Sequence, residues 1–178
     1  PPIDSIRERV VMDLRSYVGG FKNILDESPE HCRRIAIKQP VLTNEELEKL
    51  RYVDKFHFQT KKLNMCFKAD GSDGALEAGL DRICRYALDA IEDGYSILCL
   101  SDRGMDSDHA PMPSVLATSA VHHHLIREGK RGKVDIIVEA GDVREVHHFA
   151  TILGFGASAV NPYLALETVV DLKNQGLL

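Results

Sequence analysis

The sequence predicts an α/β domain built around a parallel sheet or barrel. Three apolar segments have the composition of buried strands, and each is followed by a polar, turn-rich loop and a helical pattern. These segments are residues 96–101, 134–140 and 158–160. Strand, loop and helix repeated in this order are typical of parallel sheets. In such folds, functional sites lie at the carboxyl ends of the strands.

The length and composition are those of one globular domain, or of one domain with an arm. The 178 residues are 44% hydrophobic and 28% charged, with a formal net charge of −5. That charge argues against a nucleic-acid partner, which would need a basic face. No apolar run reaches the roughly 20 residues that span a bilayer, and no targeting peptide is recognisable, so we expect no membrane partner. The chain starts with Pro1 rather than methionine, which is consistent with a piece of a longer polypeptide.

The first third of the chain, residues 1–60, predicts a mainly helical and extended N-terminal arm. Apolar residues recur at helical spacing over residues 3–17, and residues 40–42 predict an extended segment. This third contains too few apolar residues to form a core alone. We therefore expect it to pack on a central β/α domain formed by residues 61–178.

Two local patterns in the arm predict where its later helices begin. Ser28-Pro29 has the sequence of an N-cap followed by proline at the first helical position. Thr43 and Glu46 have the spacing of a capping box, in which each side chain satisfies a backbone amide of the other residue. The helix that follows the capping box is expected to bury two leucines, Leu47 and Leu50.

The central domain predicts one more strand and two long helices. Apolar and polar residues alternate over residues 62–67, which indicates a half-buried strand. An apolar face at helical spacing predicts a helix over residues 75–91. The last predicted helix covers residues 163–174. Its apolar residues are Leu166, Val169, Val170 and Leu172.

The cysteines and histidines do not have the spacing of a metal site. The four cysteines form no C-x-x-C pair and are predicted to be buried, reduced thiols: Cys32, Cys66, Cys84 and Cys99. Three successive histidines, at 122–124, point in different directions on a helix, because neighbouring helical residues diverge by about 100°. His147 extends an apolar stripe and is predicted to be a packed core histidine.

Polar residues cluster at the predicted strand ends, where a site is expected. The candidates are Asp102, Arg103, Asp106, His109, Glu139 and Asn161. Several carboxylates and a histidine in one loop, residues 102–109, have the composition of a hard-cation or acid–base site. Solvated carboxylates that pair with Arg103 are the commoner explanation of such a loop. Residue order alone identifies no Ser-His-Asp or Cys-His catalytic set.

Several long motifs resemble the central domain of the large subunit of glutamate synthase. The strongest are SDRGMDSDHAPMPSVLATSAVHHHLIREG and VEAGDVREVHHFATILGFGASAVNPYLALET. The N-terminal segments PPIDSIRERVVMDLRSYVGG, ILDESPEHCRRI and QPVLTNEELEKLR agree with the same family. The resemblance covers essentially the whole chain, in the family's order.

The resemblance implies an incomplete TIM-barrel-like fold and a place inside a larger enzyme. Glutamate synthases convert glutamine and 2-oxoglutarate into two glutamates, with electrons from NAD(P)H or ferredoxin. An amidotransferase domain releases ammonia with an amino-terminal cysteine, and a later barrel domain carries FMN and an iron–sulfur cluster. The central domain lies between them and helps to enclose the ammonia passage. The resemblance also implies a cytoplasmic enzyme, or a plastid stromal one in a photosynthetic eukaryote.

No catalytic, metal or cofactor residue can be carried over from the family to this chain. Residue 1 is proline rather than the catalytic cysteine, and no close cysteine cluster is present. The six strand-end candidates are therefore expected to face another domain or the passage. Two alternatives stay open: a stand-alone interaction domain that assembles in trans with separate subunits, and a small α/β enzyme that uses the loop from Asp102 to His109. A homo-oligomer is also possible.

Overall fold

The computed structural model describes residues 12–23, 25–53, 55 and 58–178. Its strands are β1 (Ser16–Val18), β2 (Ile35–Ile37), β3 (Thr60–Asn64), β4 (Cys66–Lys68), β5 (Ile97–Ser101), β6 (His109–Pro111), β7 (Asp135–Glu139) and β8 (Ala159–Asn161). Its α-helices are α1 (Asn44–Arg51), α2 (Ala75–Glu92), α3 (Ser114–Arg127), α4 (Val146–Gly154) and α5 (Tyr163–Asn174). Short 3₁₀ helices cover Pro29–Cys32 and Arg131–Lys133.

The centre of the fold is a parallel sheet with the strand order β3-β5-β7-β8. The order in space equals the order in the chain, and a helix lies between each pair of neighbouring strands. A doubly wound sheet would reverse direction at a switch point, whereas a β/α barrel adds its strands in one direction. The predicted class, an incomplete barrel-like α/β domain, is therefore confirmed.

The central strands are buried on both faces, and their side chains divide between two cores. All five positions of β5 and all five of β7 are buried. Because side chains alternate along a strand, Leu98 and Leu100 join the core under α2, α3 and α4, while Ile97 and Cys99 join the core on the opposite face. Continuous apolar strands of this kind are typical of a parallel sheet covered on both sides.

The N-terminal segment covers the sheet face that α2, α3 and α4 leave open. Leu47 and Leu50 of α1 and Val18 of β1 are buried in the same core as Ile97 of β5. The predicted extended segment at residues 40–42 runs parallel to β8, since Leu42 N–H donates to Val160 O over 2.8 Å. The free edge of β8 is thereby paired.

The capping box that begins α1 is confirmed. Glu46 N–H donates to Thr43 Oγ1 over 3.2 Å, and Thr43 N–H donates to Glu46 Oε2 over 2.9 Å. The prediction at Ser28-Pro29 also holds, as Ser28 Oγ accepts from Glu30 N–H at the start of a 3₁₀ helix. These patterns were readable because they depend on residues two or three positions apart.

A buried carboxylate fastens the N-terminal segment to the amino end of β7. Asp135 Oδ2 accepts from the backbone N–H groups of Gly19 over 2.7 Å and Gly20 over 3.1 Å, and from Arg34 Nη2 over 3.2 Å. Its Oδ1 accepts from Ser158 Oγ over 2.6 Å. Both glycines have positive φ, which brings two amides to one oxygen at little steric cost.

The strand predicted over residues 62–67 is divided into two strands in the structure, because the chain changes sheets at Met65. β3 ends at Asn64, and β4 pairs with β6 in a separate antiparallel ribbon. Asn64 Oδ1 accepts from Cys66 N–H over 2.9 Å and fixes the turn between the two strands. The alternating pattern continued across the turn because Met65 is buried between the two strands.

The structure also contradicts predictions made for the arm, for α4 and for one cysteine. The helix predicted over 3–17 lies largely outside the described residues, and within them residues 13–15 are not helical and β1 follows. The prediction of a packed core histidine at His147 is wrong, since this side chain is exposed. Val143 precedes α4, so it does not share a helical period with His147. Cys32 is exposed, whereas Cys66, Cys84 and Cys99 are buried as predicted.

Candidate functional site

The last row of the parallel sheet is polar on every strand. Asn64, Ser101, Glu139 and Asn161 are register partners across β3, β5, β7 and β8. The preceding row is apolar and faces the helices, with Leu100 beside Val138. The alternation of side chains therefore turns the polar row toward the face covered by α1. We call this row, with the side chains bound to it, the strand-end cluster.

Glu139 is the centre of the strand-end cluster. It is 1% exposed, and both carboxylate oxygens are used. Oε1 accepts from Arg103 Nε over 2.7 Å. Oε2 accepts from Arg51 Nη2 and from Ser101 Oγ, each over 2.5 Å. Because a buried charge is tolerated only when it is paired and hydrogen-bonded, these contacts make the arrangement possible.

The electrostatics of this group favour the ionised carboxylate. Burial acts to raise the pKa of Glu139, but the Ser101 hydroxyl and the Arg51 and Arg103 guanidiniums outweigh it and hold the pKa below its usual range. The buried thiol of Cys99 lies beside Arg51, and burial raises the pKa of that thiol to about 11. The thiol therefore stays protonated near neutral pH, and a nucleophilic thiolate is disfavoured.

Asp102, the first residue after β5, is buried rather than solvated. Its Oδ2 accepts from Gly141 N–H over 2.7 Å, which ties the β5 loop to the loop after β7. Burial raises the pKa of Asp102, partly opposed by the hydrogen bond from Gly141 N–H. Its Oδ1 is buried without a hydrogen-bond partner among the described residues. Asp102 thus holds two strand-end loops together.

Arg103 connects the cluster to the C-terminal helix. Its Nη2 donates to Glu167 Oε1 in α5 over 2.8 Å, and its guanidinium carbon lies 3.9 Å from the ring centroid of Tyr163. The expectation that Arg103 would pair with carboxylates of its own loop is wrong. The partners of Arg103 are Glu139 and Glu167, which lie 36 and 64 residues away in sequence.

Asn161 connects the end of β8 to the start of α1. Its Nδ2 donates to Leu42 O over 2.9 Å and to Asn44 Oδ1 over 2.9 Å. Asn44 Nδ2 in turn donates to Glu167 Oε1 over 3.2 Å. The side chains at the strand ends therefore link the N-terminal arm, the sheet and α5 into one network.

Asp106 and His109 form a separate pair on the exposed part of the loop. His109 Nδ1 lies 2.8 Å from Asp106 Oδ1, and the same oxygen accepts from Asp108 N–H over 2.8 Å. The backbone hydrogen bond from Asp108 and the contact with His109 lower the pKa of Asp106. Among the described residues, no hydrogen bond or ion pair joins Asp106 or His109 to Glu139. Four of the six candidates lie in or beside the strand-end cluster: Asp102, Arg103, Glu139 and Asn161. Asp106 and His109 lie apart from it.

Sequence reasoning missed the residues that complete the cluster. These are Asn44, Arg51, Ser101, Tyr163 and Glu167. Ser101 could have been found, since it is the last residue of a predicted strand. Arg51 and Glu167 lie on helices, and their approach to Glu139 and Arg103 depends on tertiary packing.

The cluster is built to hold elements in place. A cleft of about 240 Å³ lies beside it, lined by Asn44, Leu47, Glu48, Arg51, Arg103 and Glu139. The carboxylate in the cleft is bound by two guanidiniums and a hydroxyl, so it has little capacity to act as a base. Across the described parts of the chain, no group of three or more His, Cys, Asp or Glu could hold a metal ion.

Comparisons with known proteins identify the family. The family model for the glutamate synthase central domain matches residues 1–178. The chain is 41% identical to Glutamate synthase [NADH] of Schizosaccharomyces pombe over 181 aligned residues, covering 100% of this chain and 8% of that protein. It is 43% identical to the Glutamate synthase [NADPH] large chain of Bacillus subtilis, covering 100% of this chain and 11% of that protein.

The relatives differ in their electron donor, and one of them is chloroplastic. A ferredoxin-dependent chloroplastic glutamate synthase of Spinacia oleracea is 39% identical, covering 94% of this chain and 10% of that protein. This chain therefore spans about a tenth of the length of the curated relatives it matches. Among the described residues, no helix is long and apolar enough to cross a membrane.

Proposed function

Because this chain belongs to the glutamate synthase central domain family, we propose that it is the central, non-catalytic domain of a glutamate synthase. In this role it links the amidotransferase domain to the FMN-binding synthase domain and helps to enclose the ammonia passage. The whole enzyme would convert glutamine and 2-oxoglutarate into two glutamates. The observation that carries the proposal is the strand-end cluster, which joins the arm, the sheet and α5 through Glu139.

The cluster supports a coupling role because it makes one rigid body from three separate parts of the chain. Free ammonia must pass between two active sites, so the domain between them must keep their distance fixed. Arg51 brings α1 to β7, and Arg103 brings α5 to the same carboxylate of Glu139. The buried Glu139 accepts from Arg51, Arg103 and Ser101, and a network around a buried carboxylate resists small displacements better than an isolated exposed pair does.

The six candidate residues divide into two proposed roles. Asp102, Glu139 and Asn161 are buried and would keep the strand-end loops in position. Arg103, Asp106 and His109 have exposed side-chain surface and would face a neighbouring domain or the passage. The boundary between the arm and the central domain is proposed near residue 60, where β3 begins.

The cofactors of the whole enzyme would lie in other domains. FMN and an iron–sulfur cluster belong to the synthase domain in the proposed arrangement. The cysteines here do not fit a cluster, since Cys66, Cys84 and Cys99 are buried at separate places and Cys32 is exposed. The enzyme would work in the cytoplasm, or in the plastid stroma of a photosynthetic eukaryote.

Coupling between the two active sites tests the proposal. Arg103→Gln and Asp102→Asn, made in the full enzyme, should raise the ratio of glutamine hydrolysed to glutamate formed, because ammonia escapes before it is used. Arg85→Gln, at an exposed position on α2, is the matched control and should leave the ratio unchanged. An unchanged ratio in both site variants would overturn the coupling role.

The mass of the native polypeptide decides between a domain and a separate subunit. A chain about ten times longer that carries FMN would support the central-domain proposal. A native chain of about 178 residues would instead favour a stand-alone domain that assembles in trans with amidotransferase and synthase subunits. Intact-mass analysis of the protein from its source makes this measurement.

A further inference from the structure

The C-terminal helix α5 has one apolar side that is partly exposed. At about 100° per residue, Leu166, Val169, Val170 and Leu172 lie on this side. Val169 and Val170 are 55% and 58% exposed, and Leu166 and Leu172 are only partly buried. The opposite side carries the polar residues Glu167, Thr168, Asp171 and Asn174, and the apolar side of such an amphipathic helix normally packs against another element.

Only the first turn of α5 is fastened to the rest of the described chain. Tyr163 is buried beneath Arg103, and Glu167 accepts from Arg103 and Asn44. In the described part of the chain, the hydrogen bonds of residues 168–178 stay within the helix and its C-terminal turn. The helix is therefore held at its N-terminal end, while Val169 and Val170 in its later turns are exposed.

A surface of this kind indicates an interface. Isolated exposed apolar residues are normal, but a contiguous group on one element marks a contact with another body. The salt bridge between Arg103 and Glu167 helps to fix the direction of α5 relative to the loop after β5, and with it the orientation of this surface.

We propose that α5 is a docking helix, buried in the full polypeptide against an apolar surface of another domain of the same chain. This inference rests on the proposed function. The argument for an intramolecular partner is length, because the relatives match this whole chain yet contain about ten times more sequence. That additional chain supplies a partner surface at high effective concentration, which a second copy of the protein would not match.

Hydrogen exchange on the full polypeptide tests the docking helix. The amides of residues 166–174 should be protected in the wild type, and Val169→Asp with Val170→Asp should speed their exchange about tenfold or more. Val146→Asp is the matched control: Val146 is an exposed valine at the start of α4, and its replacement should leave the exchange of α5 unchanged. A second double variant, Val169→Gln with Val170→Gln, removes the apolar surface while keeping good helix formers, and should give the same direction of change.

Two results would overturn the inference. In the first, α5 exchanges as an exposed helix in the wild-type polypeptide. In the second, its protection depends on protein concentration, which would assign the surface to a second copy. Failure of the coupling role gives a different result, since the coupling ratio would then be unchanged while the amides of α5 stay protected.

Discussion

Arg51, the last residue of α1, binds Glu139, the last residue of β7, over 2.5 Å. The two residues lie 88 positions apart in the chain. Their contact closes the N-terminal arm over the carboxyl end of the sheet, while Thr60 Oγ1 holds the same end of α1 through Leu50 O over 2.8 Å. The arm is thus an integral layer of the fold.

Replacing Glu139 should be strongly destabilising. Glu139→Gln replaces the buried carboxylate with a neutral amide, so the guanidiniums of Arg51 and Arg103 lose the negative charge that they pair with. Removing one partner of a buried ion pair costs roughly 3 kcal/mol or more in the free energy of unfolding. Urea denaturation of the wild type and the variant measures this difference. Asp70→Asn, at an exposed loop position, is the control and should cost far less.

The stability difference between wild type and Glu139→Gln should depend on pH in the acid range. The pKa of Glu139 is lowered in the folded state, so its stabilisation is fully present above the unfolded pKa, about 4.3. It is lost as the pH falls through the folded pKa. The difference in the free energy of unfolding should therefore be constant from pH 6 to about pH 5 and shrink at lower pH. A difference that grows on acidification would contradict the assigned ionisation.

Replacing Asp135 should release the arm from the amino end of the sheet. Asp135→Asn keeps the size of the side chain but removes the charge that pairs with Arg34. An NH₂ group, which donates hydrogen bonds, replaces one of the carboxylate oxygens that accept them. We expect a loss of roughly 2 kcal/mol and faster proteolysis within residues 12–23. Limited proteolysis followed by mass spectrometry locates the cut. Asp73→Asn, at an exposed position outside the arm, should leave the cleavage rate unchanged.

The sequence predicted those features of the fold that depend on nearby residues. The capping box at Thr43 and the helix over residues 163–174 were correct because their signals lie within the element itself. The strand predicted over residues 62–67 is divided in two, because a side-chain hydrogen bond from Cys66 N–H to Asn64 turns the chain. Hydrophobic alternation carries no information about such a turn.

Part of the strand-end cluster could be predicted and part could not. The ends of parallel strands meet at one edge, so Asp102, Glu139 and Asn161 were correctly expected there. The partners Arg51 and Glu167 were missed, because their positions depend on how α1 and α5 lie on the sheet. Charge alone does not distinguish an arginine on a solvated helix face from one that binds a buried carboxylate.

Gly156 should resist replacement because of a close contact as well as its backbone conformation. Its φ is +111°, and an added Cβ would lie 2.1 Å from Nδ1 of His122. That ring is fixed by Arg131, whose Nε donates to Nδ1 over 2.9 Å and whose Nη2 donates to Gly156 O over 2.8 Å. Gly156→Ala must therefore displace His122 and disturb the contacts of Arg131.

Gly129 provides the control that separates the two effects. It also has a positive φ, +64°, but nothing lies within 4 Å of the position of an added Cβ. Gly129→Ala should cost about 1 kcal/mol, the penalty of the left-handed backbone alone. Gly156→Ala should cost roughly 3 kcal/mol, because the steric conflict adds to the backbone penalty. Thermal unfolding of both variants measures the difference, and equal losses of stability would show that His122 moves aside at no cost.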